Sequence, residues 1–199
     1  DPRDHNTVRV AVSCGGVWRT EDGGKTWAQS AHGMKFDNGP KSEVESPDGQ
    51  DPHMMVQSPS DPTKFWVQHH ASIFKSVDDG KNWTFQNKNT RAGFLPDPYP
   101  EYGQDAHYIA VHPAMPDRIY QQNHCGIYRL DRPSDTWIRV GDNMPRDVGD
   151  IGFPIEVHPT DPDTAWVFPM DGTTVWPRTS PDGRPAAYVT RNAGRTWQR

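Results

Sequence analysis

Four histidines stand at two equivalent places in this sequence, and each pair lies close to an aspartate. Asp51-Pro52-His53 matches Asp105-Ala106-His107, and Gln68-His69-His70 matches Gln122-Asn123-His124. Clustered imidazoles suit zinc, copper or iron, and a neighbouring carboxylate can act as a further ligand or can orient a histidine. The pattern therefore predicts a shared site, for which zinc or copper is one fitting occupant, formed by His53, His70, His107 and His124.

The same residues also fit a metal-free site for a small polar ligand, such as a glycan or a carboxylate. The imidazoles and the amides of Gln68 and Gln122 can donate and accept hydrogen bonds, and Asp105 can accept them. Tyr102, in a long loop, can stack on or clamp a sugar or a carboxylate. A third interpretation gives the histidines a purely structural role. The sequence identifies no catalytic residue, and the three interpretations remain open.

These residues belong to a pattern of strands and turns that returns along the whole chain. Its clearest copies are GVWRTEDGGKTW and SIFKSVDDGKNW, and two weaker copies follow them. The tryptophans that close the copies stand roughly 55 to 60 residues apart, which is the length of four short strands with their turns. The pattern predicts antiparallel sheets in the order strand a, proline turn, strand b, hairpin, strand c, acidic turn, strand d.

The acidic turn of each repeat carries local chemistry of its own. In the second copy, the Ser76 hydroxyl and the Asp78 carboxylate are expected to bond backbone N–H groups, and Gly80 supplies a positive φ. Trp83 is expected to anchor the turn by packing between sheets. Residues with the same expected roles in the other copies are Thr20, Asp22, Gly24, Trp27, Trp137 and Trp197. We predict that these turns hold the sheets together and catalyse nothing.

The repeats resemble those of the Asp-box, or BNR, β-propellers, a group that includes sialidases, sortilin-type receptors and bacterial glycosyl hydrolase-like proteins. The resemblance covers essentially all 199 residues. It implies an all-β propeller of four-stranded antiparallel blades, of which this chain supplies about three and a half to four. We expect one partial propeller over 1–199, closed by the rest of a longer protein or by a second copy, with blades near 1–35, 51–90, 105–145 and 152–199.

The propeller resemblance also implies where a ligand binds. The b–c hairpins and the d-to-a connections lie on the face opposite the Asp-box turns. Adjacent strands lie about 4.8 Å apart, so His53 can approach His70, and His107 can approach His124. We expect all four to face the mouth of one channel. Long connections over 31–50, 90–104 and 171–184 should crowd the same face and bring further ligand contacts, namely Tyr99, Tyr102, Trp176 and Arg178.

A sialidase would need more than this fold. It uses an arginine cluster, a tyrosine nucleophile with a glutamate, and an acid for the leaving group. The Phe/Tyr-Arg-Ile-Pro motif that supplies one arginine in that family is absent, since Gly152-Phe153-Pro154-Ile155 lacks the arginine. True sialidase activity is not expected. The function classes that remain are a glycoside hydrolase-like enzyme, a metal-dependent enzyme that uses the histidines, and a non-catalytic binding or scaffold propeller.

The composition argues against several classes of partner. Acidic and basic residues are interspersed with a formal net charge of -5, so neither nucleic acid nor an anionic membrane is expected to bind. No apolar stretch approaches the roughly 18 residues of a membrane helix, and the first residues lack the features of a signal peptide. The two cysteines, Cys14 and Cys125, do not indicate a disulfide framework. We expect a soluble chain and assign it no compartment.

Overall fold

The computed structural model describes residues 1–36, 44–170, 179–180 and 183–199. The chain divides into two compact units, Asp1–Gln86 and Asn87–Arg199. Each unit contains two antiparallel β-sheets, which confirms the predicted all-β class and the predicted order of strands. Within the described ranges, no helix is both long and apolar enough to cross a bilayer.

The first unit holds a three-stranded and a four-stranded sheet, each with its strands in sequence order. Short strands joined by Gly-, Pro- and Asp-containing turns favour this pairing of sequence neighbours. The first sheet consists of β1 (Val8–Val12), β2 (Gly16–Thr20) and β3 (Ala28–Gln29). The second sheet consists of β4 (Pro52–Gln57), β5 (Phe65–His69), β6 (Ser72–Ser76) and β7 (Thr84–Phe85), and the 3-10 helix Pro47–Gly49 precedes it.

The second unit repeats this arrangement with a four-stranded and then a three-stranded sheet. The third sheet consists of β8 (Ala106–Val111), β9 (Arg118–Asn123), β10 (Gly126–Asp131) and β11 (Ile138–Arg139), and the 3-10 helix Gly141–Asn143 follows it. The fourth sheet consists of β12 (Ile151–Val157), β13 (Ala165–Met170) and β14 (Tyr188–Thr190). A bridge between Val189 and Gln198 marks the position of a fourth strand in this last sheet.

Apolar side chains from both sheets of a unit form its core. In the first unit these are Val17, Ala31, Met34, Phe65, Val67, Phe74 and Trp83. In the second unit they are Tyr120, Ile127, Val140, Met144, Val148, Ile155, Ala165, Val167 and Trp197. Burial of one large apolar side chain stabilises a fold by about 1.5–3 kcal/mol. Packing of sheet against sheet is therefore the main force that holds each unit together.

The acidic turns make the hydrogen bonds that their residue types predict. Gly80 N–H donates to Ser76 Oγ at 3.0 Å, and the Asp78 carboxylate accepts the backbone N–H of Asn82 at 2.9 Å. The first turn is equivalent, with Gly24 N–H on Thr20 Oγ1 and Thr26 N–H on Asp22, each at 2.9 Å. The last turn uses Thr190 and Asn192 in the same way. Gly24, Gly80 and Gly194 all have φ between 77° and 90°.

Three of the four closing tryptophans are buried, and the fourth is exposed. Trp83, Trp137 and Trp197 are at most 6% exposed, whereas Trp27 is 41% exposed. The indole N–H groups of Trp83 and Trp197 donate to Ser30 and Val140, which belong to the preceding repeat of the same unit. The Trp27 indole instead donates to Gly24 within its own turn.

Candidate functional site

In the first unit, Asp51, His53 and His70 bring their side chains together. The ring centroids of the two histidines are 5.7 Å apart and the ring planes cross at 70°. Asp51 Oδ2 lies 3.1 Å from His53 Nε2. The backbone supports this arrangement, because the His70 N–H donates to the Asp51 carbonyl at 3.0 Å. One possible ligand atom from each residue lies within 4.8 Å of the other two.

In the second unit, Asp105, His107 and His124 form a corresponding cluster. Asp105 Oδ2 lies 3.2 Å from His124 Nδ1 and 3.5 Å from His107 Nε2. The His124 N–H donates to the Asp105 carbonyl at 3.0 Å. The side chains of His107 and His124 are 6% and 4% exposed, against 39% for His53. The second cluster is therefore shielded from water much more than the first.

An irregularity of strand pairing places one histidine in each cluster. The register of β4 with β5 shifts at His53, and the register of β8 with β9 shifts at His107. Each histidine is thus an extra residue between two paired neighbours. Bulges of this kind redirect a side chain and occur often next to functional sites. The repeat alignment found both histidines, but no sequence signal revealed the bulge that turns them toward their partners.

Two further contacts fix the ring of His107. Its Nδ1 lies 2.6 Å from the Gly152 carbonyl oxygen, and it stacks on Phe153 with ring centroids 4.2 Å apart. A nitrogen this close to a carbonyl must carry a proton, because two acceptors repel. In a neutral imidazole the lone pair is then on Nε2, the atom that faces Asp105. A lone pair and a carboxylate that face each other need a cation between them, either a proton or a metal ion.

Both cluster carboxylates are ionised at neutral pH. Burial alone would raise the pKa of Asp105, but its hydrogen-bonded histidines outweigh burial and hold that pKa well below its ordinary value. Burial also opposes ionisation of Asp51, but hydrogen bonds from Ser13, from the Cys14 N–H and from His53 lower its pKa to about 2. Each cluster therefore offers a fixed negative charge to a cation.

His69 supports the first cluster, although the repeat pattern assigned it no role. It is fully buried, and burial lowers its pKa to about 4. Its Nε2 accepts the Asp51 N–H at 2.9 Å, so the neutral ring holds the backbone next to the first cluster. Its counterpart Asn123 accepts the Cys125 N–H at 2.8 Å. The pairing of His with Asn in the alignment was the available signal, since both side chains can accept a backbone N–H.

The two glutamines that were expected to contact a ligand differ in their placement. Gln68 Nε2 lies 3.3 Å from His53 Nδ1, so it adjoins the first cluster. Gln122 is buried, and its Nε2 lies 2.9 Å from the carbonyl oxygens of Asn123, Gly126 and Asp150. The donors of Gln122 are thus used to hold the hairpin and the residue that precedes β12.

The aromatic loop residues are also placed differently from one another. Tyr102 is only 6% exposed, so its ring is not presented to solvent for stacking, whereas Tyr99 is 55% exposed. Trp176 and Arg178 lie outside the described residues.

Cys125 is buried, its Sγ accepts the Gly93 N–H at 3.3 Å, and burial raises the pKa of its thiol.

A cleft of about 420 Å³ lies elsewhere in the first unit, beside the acidic turn at Asp22. Its lining includes Arg19, Trp27, His32 and Lys81. The residues that line the cleft carry charges of both signs. Neither of the two Asp–His clusters found among the described residues contributes to this lining. Volume alone does not make a site, so we assign the candidate site to the histidine clusters. Because the two clusters belong to different units, their convergence on one channel stays a prediction.

No protein-family model matches the sequence, and no curated protein matches it. Several solved structures have a similar fold. The GH74 xyloglucanase from Xanthomonas campestris aligns with a TM-score of 0.64 at 16% identity, over 100% of this chain and 28% of that chain. The GH74 enzyme of Niastella koreensis aligns with a TM-score of 0.61 at 17% identity, over 100% of this chain and 28% of that chain.

A third similar structure is YCF48 from Cyanidioschyzon merolae, with a TM-score of 0.53 at 13% identity, over 98% of this chain and 55% of that chain. These neighbours are β-propellers. The chain therefore has the fold of part of a β-propeller, and it spans less than two thirds of the length of each neighbour. Identities this low establish the fold alone.

Proposed function

We propose that this chain is a segment of a β-propeller that binds divalent transition-metal ions, with zinc or copper as the expected metal. One ion is bound by Asp51, His53 and His70, and a second by the cluster around Asp105. The observation that carries the proposal is the orientation of His107. Its Nδ1 proton is committed to a backbone carbonyl, and its Nε2 faces a carboxylate oxygen at 3.5 Å.

The distances in the second cluster support a metal ion in place of a proton. Ligand atoms bound at about 2.1 Å around a tetrahedral zinc ion lie roughly 3.4 Å from one another. The two contacts of Asp105 Oδ2 with the histidines, at 3.2 and 3.5 Å, match this spacing. The bond from His107 to Gly152 is also the kind of outer contact that orients a metal-binding histidine.

Three protein ligands leave a position open for a polar ligand. An ion held in this way can polarise a bound carbonyl or lower the pKa of bound water. The small polar ligand expected from the sequence would occupy this position, as a carboxylate or a glycan.

The test is metal analysis of the protein after reconstitution with zinc or copper and removal of excess ion. We expect two equivalents in the unaltered chain and about one after His107→Ala with His124→Ala. His5→Ala removes an exposed histidine outside both clusters and should leave two equivalents. Circular dichroism must show that each variant is folded. A folded chain that retains no metal after reconstitution contradicts the proposal.

A metal-free site for a glycan is the second candidate, because His53 and His70 are exposed and 5.7 Å apart at a strand end. The GH74 neighbours are consistent with a glycoside hydrolase-like protein, but they support the fold only. Sugar binding that is unchanged after chelation would favour this candidate. A non-catalytic scaffold would bind neither metal nor sugar, and true sialidase activity is not part of either proposal.

We also propose that the acidic turns are Asp boxes and that both units belong to one partial propeller. The repeated bonds of Ser76 and Asp78 and of Thr20 and Asp22 support the first proposal. The alignment of the whole chain with one part of each β-propeller neighbour supports the second. On these proposals the turns stabilise the sheets, and the clusters at the b–c hairpins carry the function.

A further inference from the structure

Two exposed phenylalanines flank the cluster of the second unit. Phe153 stacks on His107, with ring planes inclined by 13°. Phe94 meets His124 edge to face, with centroids 5.3 Å apart. The two phenylalanines are 37% and 38% exposed. Each therefore touches a proposed metal ligand with one part of its ring and presents apolar surface to solvent with another.

Phe94 is held in place by the chain on either side of it. The Gly93 N–H donates to Cys125 Sγ at 3.3 Å, and the Arg91 N–H donates to Tyr128 Oη at 3.0 Å. These bonds fasten the loop to the hairpin that carries His124. A side chain that is fixed before the ligand binds loses little conformational entropy on binding, which favours affinity.

The charge of the second cluster favours an anion as the ligand. A divalent ion bound by one carboxylate and two neutral imidazoles leaves a net positive charge. Shielding from water strengthens the attraction between that charge and an anionic oxygen. A neutral hydroxyl would gain less from the same position. The ligand that fits best thus combines an anionic oxygen with an apolar surface.

From these observations we infer that the metal centre of the second unit binds a carboxylate whose apolar part is a flat ring, and that Phe94 and Phe153 contact that ring. This inference rests on the proposed metal site, and it names the class of ligand. The carboxylate coordinates the ion, and the ring packs against the two phenyl groups in the edge or offset geometry that aromatic pairs favour.

The first unit supplies an internal comparison. Among the described residues, the aromatic contact of His53 and His70 is with each other, and no phenylalanine flanks them. Its cluster should therefore bind a carboxylate with no preference for one that bears a ring. Removing His53 and His70 should leave the ring preference of the protein intact, whereas removing His107 and His124 should abolish it.

The experiment compares benzoate with acetate as ligands of the zinc-loaded protein, using isothermal titration calorimetry. Both probes offer the same carboxylate, so the ratio of their affinities reports the ring alone. Methyl glucoside serves as a neutral probe with hydroxyl oxygens. The variants are Phe94→Ala and Phe153→Ala, with Phe36→Ala as the control because Phe36 is equally exposed, at 39%, in the other unit. Metal content is measured on every sample.

We expect benzoate to bind more tightly than acetate, and each site variant to lower that ratio by roughly two- to tenfold. Phe36→Ala should leave the ratio unchanged. An unchanged ratio in both site variants, with metal still bound, would overturn the inference and leave the metal site standing. Tighter binding of methyl glucoside than of benzoate would also overturn it. Absence of metal from the unaltered protein would remove both the inference and the proposed function.

Discussion

At the level of single residues, metal binding in the second unit depends on where protons and charges lie. Asp105 is held anionic, and His107 has its Nδ1 committed to Gly152. These two facts make the region between the carboxylate and Nε2 attractive to a cation. The repeat alignment could predict that His107 and His124 come close, because they occupy equivalent places. It could not predict Gly152 or Phe153 as partners, since those contacts come from a neighbouring sheet.

Removal of the Asp105 charge should weaken the second metal site without unfolding the protein. Asp105→Asn keeps the size of the side chain but loses the anionic ligand, so we expect metal affinity to fall by at least about tenfold. Competition with a coloured chelator measures this affinity. Asp117→Asn is the matched control, because the Asp117 side chain is 68% exposed in the same unit. Equal affinities in the two variants would exclude Asp105 as a ligand.

At the level of strands and turns, the closing tryptophans allow a buried and an exposed side chain to be compared at the same position of the motif. Trp83 is 2% exposed and Trp27 is 41% exposed, although both close the same motif. Trp83→Ala should cost about 3–5 kcal/mol of unfolding free energy, and Trp27→Ala much less, because less apolar contact is lost. Urea denaturation of both variants measures the difference. Similar losses would mean that Trp27 is buried in solution.

The acidic turns should also contribute to stability in a pH-dependent way. Hydrogen bonds from Thr26 and Thr20 lower the pKa of Asp22 to about 2, below its ordinary value of 3.8. Ionised Asp22 therefore stabilises the fold at neutral pH, and this contribution is lost as the pH falls from about 4 to about 2. The unfolding free energies of the unaltered chain and of Asp22→Asn should converge over that interval. A constant difference would contradict this role.

The strands and turns were largely predictable from the sequence. The places where the structure departs from the prediction have physical causes. The motif around Ser76, Asp78 and Gly80 predicts its turn because each bond is local. The burial of a closing tryptophan is not local, since it depends on contacts with residues far away in the sequence, such as Ser30 for Trp83. That is why the same motif gives a buried Trp83 and an exposed Trp27.

At the scale of the whole molecule, the chain has the fold of part of a β-propeller and consists of two compact units. The first strand presents Val8, Val10 and Val12, each 40–42% exposed, on alternate residues. An apolar strand face of this kind favours association. We expect it to be covered by the rest of a propeller or by a second copy.

A charge placed in that strand face should therefore reduce self-association. Val10→Lys changes one of the exposed valines at the centre of β1 and should lower the average mass measured by light scattering at high protein concentration. Lys75→Arg, on a strand of the second sheet, keeps its charge and should change nothing. An unaltered chain that stays monomeric over the whole concentration range would argue against a second copy as the partner.

Metal stoichiometry distinguishes two separate metal centres from one shared centre and from a metal-free protein. Elemental analysis of the purified, zinc-reconstituted protein should give two equivalents. One should be lost with His107→Ala and His124→Ala, and the other with His53→Ala and His70→Ala. A single ion that either pair of substitutions removes would contradict two separate centres and indicate that four histidines converge on one. A folded, reconstituted protein that holds no metal would contradict the account altogether.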